Sequence, residues 1–118
     1  MAALTVQEIV SGGLEPAYTA ANSQDTIKAD SSQRHFLHVK NGGGGSINVT
    51  INAQRTSARV PGVGVVTISD EVVAVGAGEE RMIGPFTEAF MDASGNVVID
   101  YSGTTSVTAA ALKLPDAY

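Results

Sequence analysis

The chain has 118 residues and a formal net charge of −5 at pH 7, and no two of its seven basic residues are adjacent. This balance excludes a nucleic-acid-binding surface, which needs clustered lysine and arginine. The chain lacks cysteine and any long apolar run, which excludes disulfides, thiol chemistry and a membrane span.

The N-terminal segment, residues 1–13, has no basic leader followed by an apolar run, so we expect no secretory signal. Residues 4–10 are apolar enough to dock on another surface, and a glycine-rich turn follows at residues 11–13. They are expected to form either an extended arm that reaches a partner or an edge strand. For an arm, deleting residues 1–10 would weaken attachment to the partner more than it lowers the melting temperature of the monomer. Residues 14–118 are expected to form the folded domain.

The frequent Gly, Thr, Val and Ser residues favour strands and turns. Residues 84–93 are the best candidate for helix and are expected to hold at most one short turn. Turn clusters recur at the spacing of a small antiparallel fold, so we predict a single all-β domain, an antiparallel β-sandwich or small barrel of about seven or eight strands. Period-two alternation predicts the strands at residues 4–10, 26–29, 35–40, 46–53, 63–69, 71–75, 80–83, 97–101 and 106–114.

Four consecutive glycines, residues 42–45, separate the predicted strands 35–40 and 46–53. A phosphate-binding loop would need a following Lys and a helix, and neither is present in the pattern. We therefore predict a hairpin connection in which Asn41 and the glycines adopt positive φ angles. Four glycines exceed what a tight turn needs, which suggests a loop tip that contacts a neighbouring subunit.

The polar residues do not form a pattern typical of catalysis or metal binding. His35 and His38 point to opposite faces of a predicted strand, and no cysteine or nearby acid completes a ligand set. The paired carboxylates at residues 70–71 and 79–80 diverge in the same way, and no GxSxG motif is present. The turn at residues 92–96 lacks the remaining ligands of an EF-hand. We expect no catalytic residues, no cofactor, no metal and no small-molecule substrate.

Residues 81–86, followed by Phe90 and Met91, are the main concentration of aromatic and apolar side chains. Such a cluster either packs in the core beneath a crossover loop or contacts a partner, because Met, Phe and Arg are enriched at protein interfaces. Both interpretations stay open at this point.

Three stretches carry a resemblance to a known group of proteins. They are HVKNG at residues 38–42, AGEERMIGPF at residues 77–86, and NVVIDYSGTTSVTAAALKL at residues 96–114. Together they resemble small virion proteins of tailed bacteriophages, above all head decoration (capsid cement) proteins. The resemblance implies a β-rich domain, located on the virion and made in the host cytoplasm. Its partners would be the major capsid protein and further copies of itself, often as trimers.

The resemblance therefore implies a structural protein that binds and stabilises an assembled phage capsid. One alternative is a head–tail junction or tail component of a phage. Another is a carbohydrate- or cell-surface-binding module, which would need an aromatic-lined groove. Tyr18, Tyr101 and Tyr118 are too dispersed in the sequence to predict one. The candidate partner contacts are Leu4, Val6, Ile9, Val10, Gly43, Gly44, Met82, Phe86 and Phe90.

Overall fold

The structure of the protein, a computed structural model, describes residues 2–30, 32–55 and 57–115. Strands dominate these residues, and one 3₁₀ turn, Glu88–Phe90, is the helical element among them. The strands are β1 (Ala2–Leu4), β2 (Val6–Glu8), β3 (Thr19–Ala20), β4 (Gln24–Lys28), β5 (His35–Asn41), β6 (Ile47–Ile51), β7 (Ser57–Val60), β8 (Gly64–Thr67), β9 (Glu71–Val75), β10 (Glu80–Ile83), β11 (Asn96–Tyr101) and β12 (Val107–Lys113).

The strands form two main sheets that pack face to face. Sheet A has the order β1-β4-β11-β6-β9, and sheet B has the order β10-β5-β12-β2, with β3 pairing to one end of β12. A separate two-stranded ribbon consists of β7 and β8. The prediction of an all-β, sandwich-like single domain with one short helical turn is confirmed. The sheets do not close into a barrel, and they are mixed rather than wholly antiparallel.

The core lies between the sheets and follows the alternation of the sequence. In β6, Ile47, Val49 and Ile51 are buried while Asn48 is exposed, and β11 alternates in the same way. Branched side chains suit this position because they fill a pleated, buried face. In the described chain the most deeply buried apolar side chains are Ile27, Leu37, Val39, Val49, Ile51, Val75, Val97, Ile99, Val107, Ala109 and Ala111.

The N-terminal segment closes one side of the sandwich. β1 runs parallel to β4 in sheet A, and β2 runs parallel to β12 in sheet B. Thr5 alone separates the two strands, so the chain crosses between the sheets there. Leu4 and Val6 pack against the core. Residues 2–8 therefore form a pair of edge strands in this structure, and Leu4 and Val6 are covered within the chain.

The glycine loop connects two sheets, so the predicted hairpin between its flanking strands is wrong. β5 lies in sheet B and β6 in sheet A, and none of the glycines at residues 42–45 has a positive φ angle. The glycines instead allow the loop backbone to approach the backbone of residues 105–106 closely. A Cβ on Gly43 would lie 2.9 Å from the backbone oxygen of Thr105, and one on Gly42 would lie 3.1 Å from that of Ser106.

A buried asparagine holds the loop in place. Asn41 is 2% exposed, and its Nδ2 lies 2.8 Å from the oxygen of Gly45 and 3.1 Å from that of Val75. Its Oδ1 accepts a hydrogen bond from the Gly43 N–H at 3.0 Å. The amide therefore bonds to backbone groups within the loop and at the end of β9. Such partners are expected, because buried polar groups are nearly always hydrogen-bonded.

His35 gives the fold a predictable dependence on pH. Its side chain is buried, which lowers its pKa, and the Asp30 carboxylate, 3.8 Å from Nδ1, offsets part of this effect. His35 therefore binds a proton more readily in the unfolded chain than in the folded chain. We expect the free energy of unfolding to be unaffected by this group above about pH 6.5 and to fall below it, by at most about 1.4 kcal/mol per pH unit.

Urea unfolding followed by circular dichroism between pH 7.5 and pH 5 measures this slope. The variant His35→Gln should lose part of the slope, because the titrating group is gone. Equal slopes for the parent chain and the variant would show that another group controls stability in this range.

Candidate interaction surface

The ribbon formed by β7 and β8 is the outer part of a long hairpin. In its inner part, β6 pairs with β9 up to the pair Ile51 and Glu71. The ribbon then begins at the pair Ser57 and Thr67 and ends in the turn after Val60. Residues 57–67 are called the outer hairpin below. Its base is fixed to the sandwich, since the N–H groups of residues 54 and 55 both donate to the Ala89 oxygen.

The outer hairpin is apolar and uncovered. None of residues 57–67 is buried. Among the described strands, β7 and β8 pair only with each other. Val63 and Val65 are 69% and 70% exposed, and Val60 is also exposed. A lone two-stranded hairpin is at best marginally stable in water, and clustered exposed apolar side chains mark interaction sites. This combination makes the outer hairpin the leading candidate for an interaction surface in the described chain.

A groove lies beside the base of the outer hairpin, on the side of the sandwich opposite the N-terminal segment. There β9 and β10 are the outermost strands of the two sheets, and each pairs with a single strand in the described chain. The groove between them, called the edge groove below, has a volume of about 340 Å³. It is lined by Ile51, Glu71, Val73, Met82, Ile83, Gly84, Pro85, Phe86 and Phe90.

The floor of the edge groove depends on a tight chain passage at Gly84. This residue has a φ angle of 135°, and a Cβ there would lie 2.8 Å from the Cβ of Phe36. Only glycine fits such a conformation and such an approach. The passage brings Phe86 into the core at 3% exposure while Met82 stays 66% exposed at the rim.

The predicted contact residues fall into three separate places. Met82, Phe86 and Phe90 line the edge groove together, although Phe86 is mostly buried. Leu4, Val6, Ile9 and Val10 lie along the opposite side of the sandwich, where only Val10 is largely exposed. Gly43 and Gly44 lie in the loop before β6, at the end of that strand remote from the outer hairpin.

The outer hairpin itself was missed by sequence reasoning, which predicted a strand at residues 63–69 but none at its partner, Ser57–Val60. That partner reads Ser-Ala-Arg-Val and is followed by Pro61, so it shows neither a clear alternation nor a strong apolar run. The signal that could have found it is the run VPGVGVV at residues 60–66, in which turn residues sit between valines.

The outer face of sheet B carries a small polar network. The hydroxyl of Tyr18 lies 2.7 Å from Nδ1 of His38, and Nε2 of His38 lies 3.3 Å from a carboxylate oxygen of Glu80. The amine of Lys40 lies 4.0 Å from the centre of the Tyr18 ring. Tyr18 therefore covers His38, so the network ties the chain before β3 to the sheet. In the described chain no group of three or more His, Asp or Glu side chains is placed to hold a metal ion.

The tyrosines do not form a shared aromatic groove in the described chain. Tyr101 is buried between the sheets, whereas Tyr18 lies on the outer face of sheet B. Tyr118 lies outside the described residues.

Comparison with known proteins identifies no relative: no family model, no curated protein and no solved structure matches the chain. In the part of the chain that the structure describes, no helix has the length and apolar character needed to cross a membrane.

Proposed function

We propose that the protein is a structural component of a tailed-bacteriophage virion that binds the outside of the assembled capsid and stabilises it. The observation that carries this proposal is the outer hairpin, an apolar ribbon that projects from the sandwich and is left uncovered by the described chain. A surface of this kind suits contact with protein subunits. The resemblance of residues 38–42, 77–86 and 96–114 to decoration proteins supplies the partners, the major capsid protein and further copies of this chain.

Such a role needs binding and no chemistry. A protein that binds the assembled shell and not its free subunits stabilises the shell by mass action. An interface of about 800 Å² per partner is sufficient for specific binding, and many copies on one shell add their effects. β9 and β10 each have one edge that no other described strand occupies, and the backbone groups there can pair with a neighbouring strand.

The proposal is tested on phage particles made with and without the gene for this chain. Images of the particles should show density spread over the head surface that disappears without the gene. Heads that lack the protein should release DNA at a lower temperature, and added purified protein should restore the parent value. A single ring of density at the neck would replace the proposal by a head–tail junction role. No density at either place would refute both.

A matched pair of variants connects the restoration to the outer hairpin. Val65→Asp places a charge on the exposed hairpin, and Asn48→Asp places one on an exposed position of sheet A. We expect the first to fail in restoring the heads and the second to succeed. Equal success of both would show that the hairpin is not involved in attachment.

A further inference from the structure

We infer that the outer hairpin of one copy docks in the edge groove of a second copy, so that the protein assembles head to tail. The inference deepens the proposed function and rests on it for the role of the assembly at the capsid. The contact itself joins two copies of this chain and can be measured without a capsid.

The first observation is that both surfaces present apolar side chains. Among the described residues, Val63 and Val65 are the two most exposed of the large apolar side chains. The edge groove is lined mainly by apolar side chains, with Ile51 and Phe86 in its floor and Met82 exposed at its rim. Removing such surfaces from water is favourable at about 25 cal/mol per Å². Each surface is therefore suited to cover the other.

The second observation is the match of strand edges. β8 and β10 each have four residues, so both span about 13 Å at about 3.3 Å per residue. Each has one edge that no described strand occupies. A strand placed beside such an edge forms backbone hydrogen bonds along its length. β8 of one copy can therefore extend sheet B of the next copy beside β10.

The third observation is charge. Residues 54–67 contain two arginines and no acidic residue, whereas residues 70–88 contain five acidic residues and one arginine. Arg59 lies across the ribbon from Val65, and Glu71 lines the edge groove. In the described chain neither Arg59 nor Glu71 has an ion-pair partner. The docked arrangement brings these opposite charges together and selects the orientation of the contact.

The occupant is a second copy because the hairpin does not fill the groove of its own chain. None of residues 57–67 is buried, although Ile51 and Glu71 at the base of the hairpin line the groove directly. A contact between two different surfaces of identical chains is heterologous, and repeated contacts of this kind close into rings when the rotation allows.

Molar mass in solution, measured by light scattering after size exclusion, tests whether this surface drives assembly. The parent chain should give a concentration-dependent multiple of its 12.1 kDa mass. Val65→Asp should raise the dissociation constant at least tenfold, and the control Asn48→Asp should leave it unchanged. A parent chain that stays monomeric, or a Val65→Asp variant that assembles like the parent, would overturn the inference.

Cysteine cross-linking tests the head-to-tail arrangement, because the natural chain has no cysteine. A double variant, Val65→Cys with Met82→Cys, should give a ladder of linked chains on oxidation, whereas each single variant should stay unlinked. Gly44→Cys, in the loop remote from the outer hairpin, is the matched control. Dimers from either single variant would indicate a symmetric contact instead, and a double variant that links only within one chain would place the hairpin in its own groove.

Charge exchange tests the predicted pairing of Arg59 and Glu71. Each single reversal, Arg59→Glu or Glu71→Arg, should raise the dissociation constant by about fivefold, and the double variant should recover most of the loss. If the double variant instead lost as much affinity as the two single variants combined, the pairing would be contradicted. Self-assembly without capsid binding would support this inference and refute the proposed function. Capsid binding by a monomer would support the proposed function and refute this inference.

Discussion

A variant that lacks residues 2–10 is expected to lose about 3 to 5 kcal/mol of its free energy of unfolding, from a total that is typically about 5 to 15 kcal/mol. The deletion removes β1 and β2, which are edge strands of the two sheets. It also removes Leu4 and Val6, which pack against the core, and it exposes the backbone edges of β4 and β12. Urea unfolding followed by circular dichroism measures the loss.

Point variants separate packing from backbone pairing. Leu4→Ala and Val6→Ala should each cost about 1 to 2 kcal/mol, less than a fully buried site because both side chains are only half-buried. Val10→Ala is the matched control, since Val10 is 47% exposed and its replacement should change stability by less than about 0.5 kcal/mol. An unchanged unfolding curve after the deletion would mean that the segment serves a partner as an arm.

Asn41→Ala is expected to lower the free energy of unfolding by about 1 to 3 kcal/mol, because the Val75 oxygen that the amide satisfies stays buried after its removal. The Val75 oxygen and the Gly43 N–H would each lose a hydrogen bond. The loop that links the two sheets would lose its main anchor at the same time.

Asn48→Ala is the control for this variant, since Asn48 is exposed on the neighbouring strand and its change should be close to neutral. Both variants are measured by the same urea titration. A loss below about 0.5 kcal/mol for Asn41→Ala would show that water or a shifted loop replaces the amide.

Much of the strand content could be predicted from the sequence. The strands Glu71–Val75 and Glu80–Ile83 have the predicted limits, and Val107–Lys113 differs from its prediction by one residue at each end. These strands alternate or carry branched side chains between clear turn residues, which is the signal that local sequence provides. β3 was missed because two residues are too few to show a period.

The pairing of strands could not be predicted in the same way. β5 and β6 follow one another and both alternate, which is equally typical of a hairpin and of two strands that face each other across a core. In the structure Asn41 anchors the crossing, because its buried amide bonds to backbone in the loop and at the end of β9. Neither its burial nor the neighbouring backbone at residues 105–106 is visible in the sequence.

Only part of the candidate interaction surface could be predicted from the sequence, for a related reason. The segment at residues 81–86 was identified from its aromatic and apolar composition, and the structure places Met82, Phe86 and Phe90 in one groove. The opposing surface, the outer hairpin, consists of valines and glycines that fit a core strand equally well. Its exposure follows from its position beyond the end of sheet A, which depends on the tertiary fold.

The parallel pairing of β2 with residues 111–113 of β12 has a consequence for synthesis on the ribosome. β2 is translated about a hundred residues before the strand that lies beside it. A chain made at about 5 to 20 residues per second must therefore keep its early apolar residues exposed for several seconds. Chaperones that recognise nascent chains should bind residues 2–10 during this interval, and synthesis that stops before β12 should give a product that is rapidly degraded.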